Sequence, residues 1–99
     1  MATDARSIAW QLRTPEGRLF VTRHGLEEPF AGTLQDLVAN TKAVTLLSRD
    51  GAEVTVAVRR SLGDQSWDGE ILRVAQTDSR LKVGMIVSFD GSHIQCGVL

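Results

Sequence analysis

Three groups of side chains in this 99-residue chain have the types and spacing to do chemistry. His93 and Cys96 form a His-x-x-Cys pair, a start on a zinc site or on a thiol nucleophile with its base. Asp64, Asp68 and Glu70 gather around Trp67 and would suit acid–base work or a hard cation such as Ca²⁺. Arg49, Arg59, Arg60, Arg73, Arg80 and Lys82 supply cations for a phosphate-binding stripe, with Trp67 as a stacking platform.

Each group meets a simpler account. Positions three apart on a strand point to opposite faces, so His93 and Cys96 do not converge on one atom. Zinc needs further ligands, and only His24 and scattered carboxylates remain. Asp68 and Glu70 would share a strand face, where charges commonly discourage wrong pairing. The cations alternate along the chain with Asp50, Glu53, Asp64, Asp68, Glu70 and Asp78, the pattern of a mixed-charge surface. The sequence contains no glycine-rich phosphate loop, Ser-His-Asp arrangement or zincin motif. No catalytic, cofactor-binding or metal-ligating residue is therefore assigned, and the chain is expected not to be an enzyme. Arg59, Arg60, Arg73 and Trp67 are kept as the alternative, a nucleic-acid face.

Composition sets the frame. One domain spanning residues 1–99 is expected, with a disordered tail over 1–7. A formal net charge of −1 gives no whole-molecule field to attract nucleic acid or an anionic membrane. The single cysteine rules out an internal disulfide framework. No stretch has the character of a signal peptide or a bilayer span, so the expected compartment is the cytoplasm.

The elements that must position these groups read mainly as strands. Ile8 to Arg13 and Arg18 to Arg23 form a first hairpin around Thr14-Pro15-Glu16-Gly17, with Trp10 opposite Thr22. His24 to Gly32 reads as a loop. Thr33-Leu34-Gln35-Asp36 opens a short helix by a capping box, and Asn40 ends it in a left-handed conformation. Asp50-Gly51 closes a second hairpin that pairs Leu47 with Val54 and Thr45 with Val56. In that register Val44 and Leu46 fall on the wet face. Arg60 to Ser66 reads as a loop. Trp67 to Ala75 forms a strand, with Leu72 and Val74 on one face, Trp67 and Ile71 on the other, and a bulge at Gly69. Asp90-Gly91 then turns a closing hairpin, Val83 to Val98, whose inner face carries Val83, Met85, Val87, Phe89, Ile94, Cys96 and Val98.

This order predicts a mainly β fold with one short helix. The sheet is small, antiparallel and strongly bent, or a partly open barrel of SH3-like or Sm-like topology. An α+β roll is the alternative. From Val83 onward the only side chains of acidic, basic or histidine type are Asp90 and His93. An edge of that composition needs a partner, either the first hairpin by barrel closure or a second chain. The functional expectation is a binding or adaptor module acting by protein–protein contact or self-association as a homodimer, through Val44, Leu46, Trp67 and Ile86.

Overall fold

Alternating apolar residues over 43–47, 53–58, 67–71 and 86–89 form the strands that enclose the core. The computed structural model describes residues 10–12, 19–49, 51–75 and 81–99. Within them the order is β1 (Phe20–Arg23), β2 (Leu26–Pro29), α1 (Leu34–Asn40), β3 (Ala43–Leu47), β4 (Glu53–Gly63), β5 (Ser66–Val74), β6 (Ile86–Asp90) and β7 (Cys96–Val98). The strands make one mixed seven-stranded sheet, β2-β1-β7-β3-β4-β5-β6. It is bent and not closed, as a partly open barrel requires. The β1–β7 pair is parallel, a departure from the all-antiparallel expectation.

The inner face holds Val21, Val44, Leu46, Val54, Val56, Trp67, Ile71, Val87, Phe89 and Ile94. Helix α1 docks there through fully buried Leu37, with Leu34 and Val38 beside it. Its start is the expected capping box: Thr33 Oγ1 accepts from the Asp36 amide, and an Asp36 carboxylate oxygen accepts from the Thr33 amide, both at 3.2 Å. Its end differs, because the C-cap Thr41 is extended rather than left-handed. The Asn40 and Thr41 side chains instead donate to the Asp36 and Leu37 carbonyls.

The closing hairpin does not form. Strand β6 pairs with β5 at one edge of the sheet, while β7 inserts between β1 and β3. Asp90 takes an extended conformation and caps a 3₁₀ turn, Gly91–His93. Its carboxylate accepts from the Ser92 amide at 2.9 Å, and its own amide donates to His93 Nδ1 at 3.2 Å. A short acidic side chain that bonds its own following amides competes with the tight strand reversal that Asp-Gly suggests. Gly91 is needed for space instead: a Cβ there would lie 1.9 Å from Leu34 Cδ2. Cys96 therefore does not face Met85, and the C-terminal strand finds both partners within its own chain.

The second hairpin forms one residue out of the expected register. Leu46 pairs with Val54, Thr45 with Thr55, and Val44 with Val56. The connection is a Ser48 turn, in which the Gly51 amide donates to the Ser48 carbonyl at 2.9 Å and Gly51 takes φ +88°. A slip of one exchanges the two faces. Val44 and Leu46 are core residues with 0% exposure, so no second subunit is needed to cover them.

Two segments expected to be loops are paired strands. His24 and Gly25, at φ 52° and 80°, make a two-residue turn between β1 and β2. Asp64 and Gln65, at φ 50° and 59°, turn β4 into β5. Both turns have the paired positive φ values of type I′ geometry. With β2 and β7 on its two sides, β1 has no edge left for Trp10; Trp10 bridges to Ser48 instead. The pairing skips Leu72 between Ile71 and Arg73, which returns Val74 to the side of Ile71. Another shift opposite Gly69 coincides with a close approach, since a Cβ there would lie 2.3 Å from Val56 Cγ1. The expectations for residues 1–9, 13–18, Asp50 and 76–80, including the first turn and the N-terminal tail, lie outside the described residues.

Candidate functional site

The outward face of the sheet carries a groove of ≈ 600 Å³. Its floor follows from the register. Thr45 on β3 stands opposite Thr55 on β4, which stands opposite Arg73 on β5. On the other side Thr45 stands opposite Cys96 on β7. Farther along, Val98 meets Thr22 on β1, and Thr22 meets Glu27 on β2. Phe20, Leu47, Glu53 and Gln95 complete the lining. The groove thus crosses six of the seven strands.

Its chemistry is mixed. Phe20, Leu47 and Val98 give it apolar seats, and three threonine hydroxyls and a thiol give it short hydrogen-bonding groups. Cys96 Sγ lies 3.6 Å from Thr22 Oγ1, either atom able to donate. Thr45 is only 6% exposed, and its hydroxyl has no hydrogen-bond partner among the described residues. Buried hydroxyls are normally satisfied, so one on a residue that lines a groove is informative. Glu27, Glu53 and Arg73 make no ion pair among the described residues, while neighbouring Glu28 reaches Arg23 at 4.0 Å.

The residues singled out in the sequence lie elsewhere, Arg73 and Cys96 excepted. Val44, Leu46 and Trp67 are buried, with the Trp67 ring 6.2 Å from that of Phe89. They have almost no surface to offer a partner or a stacking base. Ile86 is 50% exposed on edge strand β6, opposite Glu70. Arg59 pairs with Glu70 at 3.2 Å and Arg60 with Asp68 at 2.8 Å. Asp68 also accepts from Ser88 Oγ at 2.6 Å and is nearly buried, not a solvated edge charge. His93 sits in the 3₁₀ turn and Cys96 in the groove, on the outward face and not sealed inside. Among the described residues no three His, Cys, Asp or Glu side chains are grouped to hold a metal ion.

At the 3₁₀ turn, burial pushes the Asp90 carboxyl up. The hydroxyl and amide of Ser92, with His93 beside them, outweigh it and hold the group below its ordinary value. The arrangement is that of a structural cap.

Sequence reasoning missed the groove because the slipped β3–β4 register placed Thr45 and Leu47 inward, and the closing hairpin did the same for Cys96. One signal would have found it. Pairing Val44 and Leu46 with Val54 and Val56 gathers four large aliphatic residues on one face and leaves Thr45 and Thr55 on the other. No family model, curated protein or solved structure matches the chain.

Proposed function

We propose that this chain is a non-enzymatic binding module that acts by protein–protein contact, with the outward groove as its contact surface. The observation that carries this reading is the buried hydroxyl of Thr45, without a partner among the described residues, on a groove floor that combines apolar seats with charges that make no ion pair among those residues. Concave sites that combine apolar walls with a few placed polar groups are where ligands settle. The fold itself does not choose among functions. Self-association belongs to the same reading, through half-exposed Ile86 on edge strand β6. A reducing compartment, the cytoplasm, suits the single free thiol.

Protein contact is preferred to nucleic acid for two reasons. The guanidinium groups of Arg59 and Arg60 are already engaged by carboxylates, and the Trp67 ring is packed against Phe89. Stacking and phosphate contact both need those groups free.

Cys96 provides the test, because an occupied groove shields its thiol. Maleimide labelling of Cys96 is expected to slow in the presence of polypeptide ligands and to be indifferent to single-stranded oligonucleotides. Salt-sensitive oligonucleotide binding that disappears in R59E/R60E would overturn the reading in favour of the nucleic-acid face.

A further inference from the structure

We propose that the groove takes an extended peptide segment bearing one basic side chain, with that side chain at Glu27. This deepens the binding-module reading and rests on it. Thr45 supplies the first argument. A hydroxyl that is nearly buried yet without a partner among the described residues is met by something from outside, and a peptide backbone offers both donors and acceptors at that depth.

Charge supplies the second. Two carboxylates and one guanidinium line the groove, Glu27, Glu53 and Arg73. Thr55 stands opposite Arg73, and Glu53 is two positions before Thr55 on the same strand. Those opposite charges offset each other at one end. Glu27, on β2 at the other end, has no counter-ion among the described residues. The excess charge is therefore negative and lies at the β2 end, where a cation is favoured and an anion repelled.

Length supplies the third. From β2 to β5 the groove spans five strand spacings of about 4.8 Å, roughly 24 Å in all, which matches about seven residues of extended chain. An apolar side chain near the middle would seat on Phe20 and Val98.

The test is selection of a displayed random heptapeptide library on the whole chain. The selected peptides, made with blocked termini, are then titrated against wild type, Thr45→Val and Glu27→Gln. Selected sequences are expected to share a lysine or arginine at one position. Thr45→Val should weaken them about tenfold, the value of one hydrogen bond. Glu27→Gln should weaken the basic peptides about three- to fivefold, as an exposed ion pair allows, and leave their glutamine analogues unchanged. Acidic or uncharged peptides that Thr45→Val still weakens would overturn the basic occupant and leave the binding-module reading standing. A library yielding no binders, or only binders indifferent to Thr45→Val, would overturn both.

Discussion

The indole Nε1 of Trp10 donates to the backbone carbonyl of Ser88 at 3.0 Å, joining residues 78 apart in the chain. Trp10 also bridges to Ser48, at the end of β3. One residue therefore ties the end of β3, through its backbone, to the edge strand β6, through its indole. The carbonyl it satisfies belongs to an edge strand, which would otherwise offer that acceptor to another chain.

Trp10→Phe keeps the ring and removes the donor. It is expected to cost about 1–3 kcal/mol through the unsatisfied Ser88 carbonyl. Trp10→Ala should cost about 3–5 kcal/mol, since the packing goes as well. Urea titration of both variants measures the difference. An unchanged midpoint for Trp10→Phe would mean that the indole bond holds nothing together.

Val87, the second residue of β6, is 1% exposed and stands opposite Gly69. A carboxylate there has no water and no countercharge, so Val87→Asp is expected to cost more than about 3 kcal/mol. That is a large part of a small domain's stability. Circular dichroism melting should show a collapse of the transition; an unaltered melt would remove Val87 from the core.

Asp90 links stability to pH. Its folded-state carboxyl lies below the ordinary value, so its contribution is complete above about pH 4 and is lost as pH falls through the folded value. Asp90→Ala should therefore destabilise by about 1 kcal/mol near neutrality, as loss of a cap does. The gap to wild type should narrow in strong acid. Denaturant titrations of both proteins near neutrality and at about pH 3 decide it. A gap of equal size at both would show that the carboxylate charge plays no part.

Thr45→Val is expected to stabilise the free protein. Burying an unpaired hydroxyl costs about 1–3 kcal/mol, and valine has the same branched shape and suits a strand. A rise in Tm accompanied by weaker peptide binding would mark a group kept for contact at the expense of stability. A fall in Tm would mean that the hydroxyl is already satisfied within the protein.

What the sequence determined by itself was local. Thr33 and Asp36 announce the helix because a cap and its reciprocal bond lie within four residues. The predominance of strands, the single short helix and an incomplete barrel all follow from alternation, turn residues and chain length. Val87 and Phe89 are readable as core for the same reason.

The tertiary structure alone decided which strands meet. Asp50-Gly51 and Asp90-Gly91 look alike as dipeptides. Yet Gly51 of the first lies in a Ser48–Ala52 turn that shifts the register by one, and the second follows a cap into a 3₁₀ turn. In each case the choice was made by contacts remote in sequence. Leu46 and Val44 are drawn to the face where Val54 and Val56 lie, and β7 is drawn to β1 and β3, with Gly97 making room for Leu37 and Thr41. A strand's side chains alternate strictly, so one residue of slip turns a whole face over. That is why Thr45 and Cys96, read as interior from the sequence, instead floor the groove on the outside.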